Sequence, residues 1–234
     1  MFTALLILLA ASDATLGLKC IYECSLREVP FGEDLRIRGR QCQKRLERDS
    51  CKIEVVLDYH QQTYTVNFPL DSDEVESIAI TPPRRLDYEF DLECSTDDDC
   101  ILEDAQTRIS ELTRRPYNTQ IIYEEISIIT GAAPEVPMKC VNTRDEIVTC
   151  VSGDRCEIQY DLKAQMVSQR ACGSPFGPAV LVYENSMFSS FDIVCSHSLC
   201  NTVETYEKIK GILNKNNMVD ANGRINATGA PDGC

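Results

Sequence analysis

From Cys51 onward the chain repeats an apolar residue at every second position: Ile53, Val55, Leu57 and Tyr59, then, after His60-Gln61-Gln62, Tyr64, Val66 and Phe68. Successive side chains on a strand point to opposite faces, so this period predicts two half-buried strands joined by a turn. Val75 to Ile80, the breaker "TPPRR", then Leu86, Tyr88, Phe90 and Leu92 predict a second hairpin. Further along, Ile158, Tyr160 and Leu162 open another, and "AVLVY", the turn "ENS" and "MFSSFDIV" complete a fourth. The period changes twice. Ile101, Ala105, Ile109 and Leu112 recur at helical spacing, as do Val203, Tyr206, Ile209 and Leu213. Thr96 with Asp97, Asp98 and Asp99 suits a helix N-terminus, whose dipole favours negative charge, and Asn201 with Glu204 has capping-box spacing.

These elements recur in one order. "FDLECSTDDDCI" (90–101) returns as "FDIVCSHSLCNT" (191–202), "LKC" (18–20) as "MKC" (138–140), and "CKIEVVLDY" from Cys51 as "CEIQYDL" from Cys156. Two tandem modules follow, 18–115 and 138–216, each mainly β and ending in a short helix. A linker, 116–137, joins them. Its end, "GAAPEVP", predicts an extended connection, and its centre, "QIIYEEISII", is apolar enough to pack on a module as a strand or short helix. The polar tail, 217–234, predicts disorder.

The segment 1–17, "MFTALLILLAASDATLG", has the length and small-residue end of a secretory signal peptide, with Asp13 its single charge. Cleavage after Gly17 and after Ala14 both fit. The run is short of the ~18 to 20 apolar residues needed to span a bilayer, no later segment reaches that length, and no stable membrane anchor is expected. All 13 Cys lie after this segment. In an oxidising compartment that number implies a disulfide framework, so the protein is expected to be secreted and extracellular. A net charge of −14 argues against nucleic acid as partner. One stretch runs against the acidic balance: Arg36, Arg38, Arg40, Lys44, Arg45 and Arg48 form a basic run that is a candidate binding patch for an acidic protein surface or a sulfated glycan, or else a solvated loop.

The cysteine order in 138–201 resembles the three-finger domain of the lymphocyte-antigen-six/urokinase-receptor family and the snake neurotoxins. The matching positions are Met138-Lys139-Cys140, Cys150, Cys156, Cys172-Gly173, and Cys195 to Cys200-Asn201. The resemblance implies a disulfide-rich, mainly β fold of two tandem three-finger modules. It also implies pairing of Cys140 with Cys156, Cys150 with Cys172 and Cys195 with Cys200. One bridge of the family is missing as a pair, with Ser174 and Val194 at its two positions. In the first module nothing stands for Cys172, but Cys24 is added, and the resemblance implies Cys24 with Cys42, Cys20 with Cys51 and Cys94 with Cys100. Cys234 is left over, and a disulfide-linked homodimer or a small-thiol adduct is expected there.

Of the two histidines, His60 sits at a hairpin turn and His197 in the short terminal cysteine loop, and there is no Gly-x-Ser-x-Gly, phosphate loop or metal-binding His spacing. "DDDC" lacks the spaced ligands of a calcium loop. The expectation is therefore no enzyme, no cofactor and no metal. The resemblance implies instead a binding module whose partner is an unidentified extracellular protein: a receptor, a channel or a secreted enzyme. A structural spacer in an assembly linked through Cys234 is the alternative. "NAT" at 226–228 is the sole Asn-x-Ser/Thr and makes Asn226 the expected glycosylation site.

Overall fold

A computed structural model describes residues 17–37, 42–72, 74–98, 100–131, 136–173 and 177–226. Thirteen strands and three helices follow in the order β1 (Leu18–Ile21), β2 (Cys24–Pro30), β3 (Arg45–Arg48), β4 (Cys51–Asp58), β5 (Thr63–Phe68), β6 (Val75–Thr81), β7 (Arg85–Cys94), α1 (Cys100–Thr113), α2 (Thr119–Thr130), β8 (Lys139–Val141), β9 (Ile147–Thr149), β10 (Arg155–Asp161), β11 (Met166–Gly173), β12 (Ala179–Asn185), β13 (Ser189–Cys195) and α3 (Val203–Lys215). The fold is mainly β and disulfide-rich, and a helix follows the strands of each half.

The period-two pattern has its expected cause in burial. On β4, Cys51, Ile53, Val55 and Leu57 are buried while Lys52, Glu54, Val56 and Asp58 are half-exposed. What the pattern did not reveal is that the two halves share a sheet. Nine strands pair antiparallel in the order β11-β10-β13-β12-β6-β7-β4-β5-β2, and the seam is β6 against β12, in register from Ile80 opposite Val180 to Val75 opposite Asn185. Each of these strands would otherwise be an edge with unpaired N–H and C=O groups, and each satisfies the other.

The seam carries the core across. Val167, Tyr160, Phe191, Val182, Ile78, Tyr88, Leu57, Tyr64 and Val29, one residue from each strand, are successive cross-strand partners in a single row. Directly opposed side chains share a face, so this apolar row lines one face of the whole sheet. Helices lie on it. Tyr206 of α3 stacks on Tyr160 with ring centroids 4.0 Å apart and meets Phe191 edge-on at 5.2 Å. In the first half Ile101, Ala105, Ile109 and Leu112 of α1 are buried, and the Leu112 carbonyl accepts the Tyr59 hydroxyl at 2.9 Å. Phe90 and Phe191 point inward, as expected of strand residues beside the disulfide knots.

Three sequence expectations are made specific or changed by the structure. The apolar centre of the linker is the helix α2, capped by Asn118, whose side chain accepts the Ile121 N–H at 3.2 Å. It buries Ile122, Tyr123 and Ile126, reaches the first half through Tyr123 beside His60, and the second through the Thr130 carbonyl, which accepts the Ser196 N–H at 2.6 Å. The start of α3 is capped by Thr202, not Asn201, because the Asn201 amide is spent on the strands: it accepts from Val141 N–H at 2.9 Å and donates to the carbonyls of Val141 and Glu157 at 2.7 and 3.0 Å. Val203 is consequently exposed, and Thr205 joins Tyr206, Ile209 and Leu213 in the buried face.

The tail is the third. Residues 217–226 are ordered, with Met218, Val219 and Ile225 buried and a bridge between Val219 and Ile225. Three apolar side chains in a polar stretch suffice because a turn brings them together: Asp220 accepts the N–H groups of Asn222 and Arg224, and Gly223 sits at φ +87°, where a Cβ would come within 3.0 Å of the Tyr206 hydroxyl. The signal segment up to residue 16, and 227–234 with Cys234, lie outside the described residues.

Because one row of side chains spans the seam, the halves are expected to unfold together. Ile78→Ala, which removes a fully buried side chain at the seam, should cost ~2 to 5 kcal/mol and shift a single urea transition followed by tyrosine fluorescence and by far-ultraviolet circular dichroism. A second transition that stays at the wild-type midpoint would show the halves to be independent.

Candidate functional site

The disulfides set the frame from which any site is held up. Cys51 faces Cys94 across β4 and β7, and Cys156 faces Cys195 across β10 and β13, at the same register in both halves. Each nevertheless bonds away from its opposite neighbour. Cys20 joins Cys51, Cys24 joins Cys42, Cys94 joins Cys100, Cys140 joins Cys156, Cys150 joins Cys172 and Cys195 joins Cys200, with Cα–Cα distances from 5.1 to 6.1 Å. These are the pairs that the resemblance to the three-finger domain implies. The sulfurs of Cys140, Cys150 and Cys172 lie within 4.8 Å of one another, but they belong to two abutting disulfides and so offer no thiolate to a metal.

From this frame project hairpin turns, two of them copies of one design. At the end of β4 the Asp58 carboxylate accepts the N–H groups of His60 and Gln61, both at 2.8 Å, and the Gln62 amide donates to the Tyr59 carbonyl at 2.7 Å. At the end of β10 the Asp161 carboxylate accepts from Lys163 and Ala164, both at 2.8 Å, and Gln165 donates to the Leu162 carbonyl at 2.7 Å. Both glutamines have positive φ, 57° and 53°. The signal was present in the sequence as Asp-x-x-x-Gln at two strand ends.

The turn between β12 and β13 is different. Met187 and Phe188, expected within the strand, fall in the turn. Asn185 holds it: its side chain accepts the N–H groups of Met187 and Phe188 at 3.0 and 2.6 Å, and its own N–H donates to the Phe188 carbonyl at 2.8 Å. Lys163 ties this turn to its neighbour by donating to the Ser186 carbonyl at 3.0 Å. The result is a fixed loop that holds Met187 at 81% and Phe188 at 42% exposure, with Met166, also at 58%, on the adjoining hairpin.

Beside this turn, across the seam, lies a groove of about 430 Å³. Glu74, Glu76, Asp91, Glu93 and Glu184 line it against the single guanidinium of Arg108. Glu76 and Glu184 stand directly opposite each other on β6 and β12, an arrangement that like charges disfavour. Each half supplies its own compensation. Arg108 pairs with Glu76 at 2.8 Å and the Tyr88 hydroxyl donates to the same carboxylate, while Glu184 takes Arg224 at 3.2 Å and the Ile225 N–H at 2.8 Å. Burial pushes the Tyr88 phenol far above its ordinary pKa, with the Glu76 charge adding to the effect, so it stays a donor.

The basic run is placed otherwise than as an open patch. Arg36 pairs with Asp34 at 2.6 Å, Lys44 with Glu23 at 2.6 Å and Arg48 with Asp71 at 3.4 Å, and Arg45 donates to the Cys42 carbonyl at 2.7 Å. Local acids thus offset three of the four described cations, and Arg38 and Arg40 lie outside the described residues. His60 and His197 make no side-chain hydrogen bond among the described residues. Asn226 is half-buried, and its backbone is held by Met218 and by Arg115, which donates to its carbonyl at 3.0 Å.

The face of the sheet opposite the helices is acidic. Burial raises the pKa values of Asp87, Glu89 and Asp192; Arg85 partly offsets the effect at Asp87, the Glu54 charge adds to it at Glu89, and a hydrogen bond from Gln159 opposes it at Asp192. A carboxyl with a folded-state pKa above its unfolded value binds more protons when folded, so its contribution favours folding most below the unfolded carboxylate range and is lost as pH rises through the folded pKa. Asp192→Asn removes that loss. It is expected to raise the unfolding midpoint at pH 7, with a gain that shrinks as pH falls towards 4; a midpoint change independent of pH would assign the effect to packing.

Compared with known proteins, the chain matches no family model and no curated protein, so what it does is inferred from its own geometry.

Proposed function

We propose that this chain is a secreted, disulfide-rich binding protein, built as two tandem modules of three-finger type, that contacts an extracellular protein and so modulates a receptor, a channel or a secreted enzyme. The observation that carries the reading is the β12–β13 turn. A backbone locked by Asn185 and anchored to a disulfide knot through β13 keeps Met187 in solvent and Phe188 partly so, with the Phe188 ring 5.9 Å from that of Tyr183. Large apolar side chains on a pre-ordered turn are the residue type that carries binding energy at protein interfaces, since little conformational entropy remains to be lost on contact.

Other features support an extracellular setting. Six disulfides require oxidising conditions, and no helix of the described residues is long and apolar enough to cross a membrane. The two Asp-x-x-x-Gln turns and the shared register of Cys51 with Cys94 and Cys156 with Cys195 support two modules of one type. Such scaffolds place function in what their turns present, not in the frame itself.

The test uses the disulfide-bonded protein as bait against culture medium and detergent-solubilised cell surfaces, followed by titration of any purified captured protein. The wild type is expected to bind it directly, and Met187→Ser with Phe188→Ser to weaken binding at least ~fivefold without altering circular dichroism. A reduced, unfolded bait that captures the same protein, or full affinity in the double variant, would overturn the reading.

A further inference from the structure

The β8–β9 hairpin is a separate two-stranded sheet, and two disulfides tie it to the main one. Cys140 on β8 joins Cys156 on β10, and Cys150, directly after β9, joins Cys172 on β11. The two bridges touch. The Cys140 and Cys150 sulfurs lie 2.9 Å apart, and with that of Cys172 they fall within 4.8 Å of one another. Among the described residues no other three cysteine sulfurs converge in this way. The remaining partners also adjoin, since Cys156 and Cys172 stand directly opposite each other on β10 and β11. Opposed residues of an antiparallel pair have Cα atoms ~4.5 to 5.5 Å apart, inside the ~4.4 to 6.8 Å that a disulfide spans. Closing Cys140 on Cys150 takes less than ~1 Å of sulfur movement, so the four cysteines suit two pairings.

We propose that this cluster is a thiol-triggered switch, in which the bridges Cys140–Cys156 and Cys150–Cys172 exchange partners to give Cys140–Cys150 and Cys156–Cys172. Burial decides where the exchange starts. Cys140 and Cys156 are fully buried, whereas Cys150 and Cys172 are partly exposed, so a small thiol in solution reaches the Cys150–Cys172 bridge first. Its thiolate bonds to the Cys172 sulfur and displaces the Cys150 thiolate. That thiolate attacks the Cys140 sulfur beside it, closing Cys140–Cys150 and expelling the Cys156 thiolate. Cys156 then attacks Cys172 across the strand pair and releases the small thiolate. Every sulfur–sulfur bond broken is matched by one formed, the small thiol is regenerated, and nothing is oxidised or reduced overall.

The consequence is mechanical. In the present pairing both bridges cross from the β8–β9 hairpin to the main sheet; after exchange each lies within a single hairpin. The β8–β9 hairpin is then held to the sheet by contacts: Arg170 with Asp145 at 2.5 Å, the Leu199 N–H to the Lys139 carbonyl at 2.7 Å, and the Asn201 amide to the Val141 backbone. Asp145 is exposed, so its ion pair contributes little. A fixed finger becomes one that moves away from the sheet while the nine strands stay paired. The exchange needs no binding partner and is independent of the Met187 and Phe188 turn.

The test incubates intact Cys234→Ser protein, which has no terminal thiol to start the reaction, with reduced and oxidised glutathione, followed by acid quenching, tryptic digestion without reduction and mass spectrometry. Arg144 lies between Cys140 and Cys150, and Lys163 between Cys156 and Cys172, so each new bridge gives its own linked peptide. Peptides joining Cys140 to Cys150 and Cys156 to Cys172 are expected to appear together, while Cys20–Cys51 and Cys24–Cys42 keep their partners. Brief trypsin treatment of the folded, exchanged protein should cut at the exposed Arg144 at least ~fivefold faster than before exchange. Adding Cys172→Ser halts the sequence at its middle step: without glutathione, Cys140 should be found linked to Cys150, with maleimide on Cys156 after denaturation. Persistence of the original pairs in glutathione, scrambling that reaches the first half equally, or maleimide confined to Cys150 in Cys172→Ser would overturn the exchange. Exchanged peptides without faster cleavage at Arg144 would overturn the switch. If Cys172→Ser fails to fold by circular dichroism, the glutathione experiment decides alone.

Discussion

The antiparallel pairing of β6 with β12 is the contact on which the arrangement depends. Two sheets that would each end in an open edge become one, and six cross-strand residue pairs replace two sets of solvent-exposed backbone groups. Antiparallel pairing about a common centre turns the halves head to tail, so the hairpin turns of one lie at the end of the sheet where the other has its disulfide knot. This explains why α2 can start beside Tyr59 and His60 and finish beside Ser196, and why a connection of modest length suffices.

Two kinds of stabilisation divide the work. The disulfides hold the segments that have few strand neighbours, such as the two-stranded sheets β1-β3 and β8-β9. Closing the loop from Cys20 to Cys51 contributes ~3 to 4 kcal/mol on the chain-entropy account. Packing holds the rest, through an apolar row that runs over all nine strands and helices laid on it. Small disulfide-rich modules ordinarily bury too little surface to depend on packing. Here the seam lets each half borrow the core of the other, and β2 is finished as an edge by a bulge and Pro30.

Electrostatics follow the same geometry. Bringing β6 against β12 sets Glu76 opposite Glu184, and the repulsion is offset by Arg108 from α1 and Arg224 from the C-terminal turn. The ordered part of the tail thus has a charge role as well as an apolar one. The basic run, by contrast, is drawn into local pairs with Asp34, Glu23 and Asp71, and its interest as a contact surface recedes accordingly.

The sequence by itself determined the local elements, and the family resemblance carried by its cysteine order implied the covalent frame. Alternation along Ile53, Val55 and Leu57, helical spacing along Ile101, Ala105 and Ile109, and cysteine order each depend on neighbours within a few residues or on a repeated motif, and so are written in the chain. The tertiary structure decided what depends on residues far apart. Nothing local in Val75–Ile80 or Ala179–Asn185 says that these edges meet, because β-pairing is specified by whichever complementary edge remains open. Nor does local composition mark Met218, Val219 and Ile225 as core, since their burial comes from the surface of α3 beneath them. The clearest case is Glu76 and Glu184, unremarkable acids in an acidic chain until the seam sets them directly opposite each other.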